Sequence, residues 1–207
     1  MSLEQKRLSN CPNCGSEEQL TFYSSVNVTI QPELKTKVIK GQLNDNTCSN
    51  CKKNINVVSG FLYHDMQNQI MINFKTEDTN DDSEGISGSE ILKDLKDKGY
   101  IYREVFSYPK LVEKIQIFDL KLNDQIIDKT AEGLKLMLSE SLKATVEDPE
   151  DYKVNILFNS IKKGLFKKKI QYYFFTHPSQ MMQIEYDFKN LTKEDRIKLF
   201  QFDSLRD

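Results

Sequence analysis

The stretch CPNC at residues 11–14 has a counterpart in CSNC at residues 48–51, and these two pairs hold all 4 cysteines of the chain. A two-residue spacer lets a tight turn aim both thiolates of a pair at one point. Two such knuckles complete a tetrahedral shell of four sulfurs, a set that suits Zn²⁺. The predicted ligands are therefore Cys11, Cys14, Cys48 and Cys51. Gly15 follows the first pair and can take positive φ, which turns backbone N–H groups toward the sulfurs. The second pair is followed by Lys52 and Lys53. Lys52 would adopt the left-handed conformation at a modest cost, and its charge would offset that of one Zn²⁺ held by four thiolates. A closed shell leaves no open position for water, so the expected role of the metal is folding rather than catalysis.

Three other chemistries use the same residues. Two disulfides would suit an exported protein, but the opening MSLEQKRLSN carries no apolar signal region. A CPxC pair can be a redox dithiol, a reading that leaves the second pair unexplained. A single iron fits four thiolates as well as zinc does. The distance between the pairs exceeds the ~15–20 residues of the compact ribbon pattern, so an insertion must lie between the knuckles.

Outward from the knuckles, Leu20–Ile30 is rich in aromatic and β-branched residues and reads as a strand. Pro32 opens a short helix in which Leu34 and Val38 face inward, with Leu43 beyond it and Gly41 as its stop. After the second knuckle, Ile55–Ser59 and Phe61–Asp65 read as extended, and Ile70–Phe74 as the returning strand of a hairpin across the polar turn MQNQ. Residues 1–75 thus form a zinc-ribbon module with a helical insertion.

Residues 76–89 change character. Glu77, Asp78, Asp81, Asp82 and Glu84 fall in this stretch with glycines and serines, and no basic residue accompanies them, which reads as a solvated acidic linker. A calcium loop would require D-x-D-x-D-G spacing, which is absent. Ser87 or Ser89 caps a short helix over Glu90–Lys98 that Gly99 ends, and Ile101–Phe106 is strand-like. A helix pair follows. Pro109 stands in the first turn of one helix, with Leu111, Val112, Ile115 and Phe118 on its apolar face. The other starts at Asn123 or Asp124 and carries Ile126, Ile127, Thr130, Ala131, Leu134, Met137 and Leu138 at helical spacing. Tyr152–Phe158, Ile170–Thr176 and Met181–Phe188 read as three antiparallel strands, and Thr192 with Asp195 starts a closing helix. The fold class predicted is α+β, with residues 90–207 as one α+β domain.

The chain resembles the CpXC domain family. The likeness rests on CPNCG at 11–15, CSNC at 48–51, FLYHD at 61–65 and REVFSYPKLVEKIQIFDLKLNDQIID at 103–128. It covers about residues 9–138, and the strand-rich tail matches only loosely. At the second knuckle Ser49 and Lys52 stand where that family's motif has Pro and Gly. The family is prokaryotic and functionally uncharacterised, so the resemblance implies a bacterial, intracellular protein and no particular substrate.

Composition restricts the remaining functions. With 207 residues the chain can bury roughly 70% of its unfolded surface without disulfide staples. Its 38% hydrophobic and 29% charged residues describe an ordinary globular protein. A net charge of −2 argues against polyanion binding by the whole molecule. No apolar run reaches the ~18 residues of a membrane span, so the expected setting is soluble and cytoplasmic.

Walker, GxGxxG, HExxH and GxSxG motifs are all absent, and the reading leans away from an enzyme. His64 beside Asp65 is the one candidate acid–base pair, although neighbours on a strand point to opposite faces. His177, before Pro178, mainly marks a bend. Lys162, Lys163, Lys167, Lys168 and Lys169 cluster around Leu165 and Phe166 and form either a candidate anion site or a solvated hairpin tip. Two functions compete. One is a zinc-stabilised, non-enzymatic module that binds another protein. The other is a nucleic-acid-binding regulator that uses the ribbon and the lysine tip, with Tyr172 and Tyr173 for stacking. The sequence leaves the oligomeric state open.

Overall fold

A computed structural model describes residues 1–76, 89–143, 154–164, 167–176 and 180–206. The chain is mixed α+β and divides into two compact units, one of residues 1–112 with 206–207 and the other of residues 113–205.

In the first unit, β1 (Leu3–Asn10) and β2 (Glu17–Asn27) flank the first knuckle. They are followed by α1 (Pro32–Ile39), the short strands β3 (Asp45–Thr47) and β4 (Asn54–Asn56), the hairpin β5 (Phe61–Asp65) and β6 (Ile70–Phe74), then α2 (Ser89–Asp97) and β7 (Ile101–Val105). Five of the strands form one sheet in the order β1-β2-β5-β6-β7, and β3 and β4 pair separately. Burial has period two on β5, where Phe61, Tyr63 and Asp65 are buried, and β6 buries Ile70, Ile72 and Phe74 together with Asn73. Phe74 packs edge-on against Phe61 and Tyr108, with ring centroids 5.7 and 5.5 Å away. α1 starts with Pro32 in its first turn and buries Leu34 and Val38, and Gly41 follows it at φ 69°. Gly99 ends α2 in the same way, at φ 74°.

Two features differ from the sequence reading. β1 is exposed along nearly its whole length, so its residues carry no alternating pattern, and its strand form comes from pairing with β2. The N-terminal unit is also larger than a ribbon. β7 pairs in parallel with β6, so residues 90–112, read from the sequence as the opening of the second domain, cluster with the first unit. Pairing in parallel joins segments that are distant in sequence, and nothing local in IYREV names its neighbour. The acidic segment 76–89 lies, apart from its ends, outside the described residues. It lies between β6 and α2, and β7, which follows α2, is the neighbour of β6 in one sheet.

The boundary between the units falls within α3 (Tyr108–Asp119). The second unit continues with α4 (Asp124–Lys143), the strands β8 (Asn155–Lys163), β9 (Lys168–Phe175) and β10 (Met181–Asp187), and α5 (Lys193–Lys198). The three strands form an antiparallel sheet in the order β10-β9-β8, as the tail's alternation predicts. Asn123 caps α4, its Oδ1 accepting from the N–H groups of Gln125 and Ile126 at 3.0 and 3.3 Å. Thr192 caps α5 through Asp195 N–H.

Inside this unit α3 and α4 present polar groups to one another and to the sheet, and each is matched. The Glu113 carboxylate accepts the N–H of Phe158 at 2.6 Å. Tyr172 hydrogen-bonds Thr130 and donates to the carbonyl of Ile127 at 3.2 Å, and burial pushes its phenol well above the ordinary value. Lys114 lies between Asp124 and Asp128, 2.6 Å from each.

A candidate metal centre

The first knuckle joins β1 to β2. Cys11 N–H donates to the carbonyl of Ser16 at 2.8 Å, and Gly15 N–H to that of Cys11 at 2.9 Å. The second joins β3 to β4 and repeats the pattern: Cys48 N–H donates to Lys53 O at 2.9 Å, and Lys52 N–H to Cys48 O at 3.1 Å. Gly15 and Lys52 occupy equivalent places, at φ 73° and 60°. Lys52 thus adopts the left-handed form expected of it, at about 1 kcal/mol for a residue with a Cβ.

Two asparagines bring the knuckles together. The Asn46 amide acts as a strand rung on β2, accepting from Thr21 N–H at 2.8 Å and donating to Thr21 O at 2.9 Å. Asn44 accepts from Tyr23 N–H at 3.0 Å and donates to Val57 O at 3.1 Å. Beneath the turns Cys11, Leu20, Cys48, Ile55 and Val57 form a buried cluster, with Phe22 and Cys51 packed on it.

The four Sγ atoms lie within 4.8 Å of one another. Across the knuckles Cys11 and Cys51 are 3.7 Å apart, and Cys14 and Cys48 are 3.6 Å apart. A tetrahedron with metal–sulfur bonds of ~2.3 Å has edges of about 3.8 Å, whereas a disulfide requires about 2.05 Å. The donor set therefore fits one metal ion shared by both knuckles. Cys11 and Cys48 are buried, Cys51 is half-buried and Cys14 is exposed. Hydrogen bonds favour thiolates at two of the positions. The Ser16 hydroxyl, followed by its backbone, brings Cys14 down to about 6, and the backbone at Lys53 lowers Cys51.

A family model described as CpXC protein matches residues 9–130. The chain belongs to the CpXC family. No curated protein matches it, and no solved structure does. The matched span of this CpXC protein takes in both knuckles, the five-stranded sheet from the end of β1 onward, α3 and the start of α4.

The remaining residues singled out from the sequence do not converge on the metal centre. His64 and Asp65 lie on opposite faces of β5. The His64 ring is half-buried, with Nε2 3.0 Å from the Tyr100 hydroxyl. Asp65 instead holds the following turn, accepting from Asn68 N–H at 3.0 Å and Asn68 Nδ2 at 2.7 Å. Burial lowers the His64 pKa below 6.5. A depressed folded-state value means that the stability His64 contributes is whole above its unfolded value and is lost as the pH falls through the folded one. An NMR titration of His64 in the CpXC protein is expected to show its midpoint below about 6.5, and His64→Phe should flatten the stability loss over that range. A midpoint at or above the ordinary value would contradict the burial argument. His177 lies outside the described residues.

The lysine tip is a hairpin end, closed by Gly164 N–H donating to Lys167 O at 2.8 Å. Leu165 and Phe166 lie outside the described residues. Register places Lys162 opposite Lys169 and Lys163 opposite Lys168, a like-charge arrangement that would repel without a counter-ion. Glu185 of β10 supplies one, bonding Lys169 and reaching Lys162 at 3.4 Å, and its own pKa falls to about 2, first through Lys169. Lys168 lies over the Phe200 ring at 5.3 Å. Three of the five lysines of this CpXC protein are thus engaged internally, which favours the hairpin-tip reading.

Sequence reasoning missed Asn44, Asn46, Ser16, Glu18 and Ser49. The only advance sign was Ser49 itself, which stands where the first knuckle has Pro12.

Proposed function

We propose that Cys11, Cys14, Cys48 and Cys51 hold a structural zinc ion, and that the protein is a zinc-stabilised, non-enzymatic module that docks another protein. The observation that carries the metal reading is the convergence of four sulfurs, from two knuckles of the same hydrogen-bonded build, to within 4.8 Å of one another. Four thiolates close the shell, so the ion supplies cross-linking of β1–β2 to β3–β4 and leaves no position for a substrate. Support for docking comes from β1. It stands at the edge of its sheet, exposes Leu3 and Leu8, and among the described residues has no strand paired on its outer side, which leaves that side for strand addition.

Elemental analysis of untagged protein is expected to find one zinc per chain, and none after all four cysteines are changed to serine. Cobalt substitution should give the intense sulfur-to-cobalt absorption of a tetrahedral thiolate site. Iron at that stoichiometry would overturn the zinc assignment, and no metal at all would overturn the site. Docking predicts a stoichiometric partner that co-purifies from the host and is lost with Leu3→Lys and Leu8→Lys together. Retention by that double variant would exclude β1 as the docking edge.

A further inference from the structure

The two knuckles share a backbone pattern and differ in what stabilises it. The first has Pro12 after its leading cysteine and Gly15 at the left-handed position, so its turn is preset by residue type. The second has Ser49 and Lys52 at those places. Lys52 sits at φ 60° with a Cβ, and its Nζ donates to Ser49 O at 2.6 Å across the turn. The second knuckle therefore depends on contacts from outside its own backbone.

Glu18, at the start of β2, provides them. A single carboxylate oxygen accepts Ser49 N–H at 3.1 Å, Ser49 Oγ–H at 2.8 Å and Ser16 Oγ–H at 3.0 Å, and lies 3.1 Å from Cys48 Sγ. The Ser16 hydroxyl in turn touches Cys14 Sγ at 3.2 Å and Cys48 Sγ at 3.4 Å. Glu18 is thus bonded to a residue of each knuckle. A proline at 49 could supply neither of the two Ser49 donors.

We propose that Glu18 and Ser49 form a clasp that positions the second knuckle over the first, and that it takes the place of the Pro and Gly that set the first one. The proposal rests on the metal reading of the four cysteines and adds that Glu18 is a positioning residue for that site. The two Ser49 donors do not involve the sulfur protons, so they persist when Cys48 ligates as a thiolate, whereas the single Ser16 proton is shared between Glu18 and the sulfurs. Holding the knuckles at ligand spacing before the ion arrives raises affinity by preorganisation. Outer partners of metal ligands typically account for about 10–100-fold in affinity.

The test is zinc affinity by chelator competition on the full chain, for the parent, Glu18→Ala, Glu18→Gln, Ser49→Pro and the Glu18→Ala/Ser49→Pro double variant. Glu18→Ala should weaken zinc by about 10–100-fold. Glu18→Gln keeps an acceptor oxygen and should recover most of that loss. Because Pro12 shows that this turn accepts proline, Ser49→Pro should keep the knuckle while removing both donors. In that background Glu18→Ala should have less than a threefold further effect. The cobalt-substituted protein gives a second readout: its absorption bands should shift in Glu18→Ala and return in Glu18→Gln, which a general loss of stability would not produce. Equal zinc affinity for Glu18→Ala and a zinc-binding parent would overturn the clasp, as would full additivity with Ser49→Pro. A parent that binds no zinc would instead sink the metal reading, and the clasp with it.

Discussion

Stripping the metal from the full-length protein should release the knuckle region and leave the rest of the fold standing. On the proposed reading the ion joins two knuckles whose own apolar support is the cluster of Cys11, Leu20, Cys48, Ile55 and Val57, and two of those five would be ligands. Without the ion, thiolates crowded within 4.8 Å repel one another or take up protons, and that cluster has little else to hold it. The core around Phe61, Tyr63, Ile72, Phe74 and Ile101 contains none of the four cysteines, and neither does that of the second unit. A site whose Kd lies a thousandfold below the free zinc concentration adds about 4 kcal/mol. Loss of that amount should lower the melting of the knuckle region by ~15 °C or more.

The measurement is amide hydrogen exchange before and after chelation. The N–H groups of Cys11, Gly15, Cys48 and Lys52, with those of β3 and β4, should lose protection, while β5, β6 and β9 keep theirs. Cys11→Ser should reproduce the chelated pattern without a chelator. Unchanged protection at the knuckles would mean that the ion is not structural.

The second large effect is expected at Lys114. Its side chain is 8% exposed and that of Asp124 only 1%, and the two are 2.6 Å apart. The second carboxylate, Asp128, is 44% exposed and keeps access to water. Lys114→Met removes the ammonium and leaves Asp124 buried as a charge without it. Breaking a buried pair from one side typically costs about 3–5 kcal/mol, more than the pair itself contributes. Lys114→Met with Asp124→Asn removes both charges and should recover most of the loss, giving a coupling of about 2 kcal/mol or more in a double-mutant cycle. Urea unfolding followed by far-UV circular dichroism reads both. If Lys114→Met costs under about 1 kcal/mol, the pair is not buried in solution as it is here.

Where the sequence was readable, a short-range physical pattern carried the signal. FLYHD and IMINF, with the four-residue turn MQNQ between them, read as the two strands of a hairpin, and β5 and β6 occupy those residues. Pro32 and Gly41 bracket α1, and Asn123 and Thr192 sit at helix starts, because caps act within a few residues of themselves. β1 had no such pattern. Its exposed residues take strand form from β2, a partner known only once the chain has folded. The clasp was hidden for the same reason: Glu18 and Ser49 are far apart in sequence and meet only because Asn44 and Asn46 pin β3 against β2.

The sequence by itself determined the two cysteine pairs, the α+β class and most helix and strand positions, since spacing, periodicity and capping are local properties of residue type, and its quoted motifs carried the resemblance to the CpXC family. Tertiary structure alone decided that β7 joins β6 in parallel, that the units divide within α3, that Glu185 balances the lysine hairpin, and that Asp65 turns away from His64. Each of these depends on which distant groups come within a few ångströms of one another, and neither hydrophobic pattern nor charge count encodes that pairing until backbone hydrogen bonds fix the register.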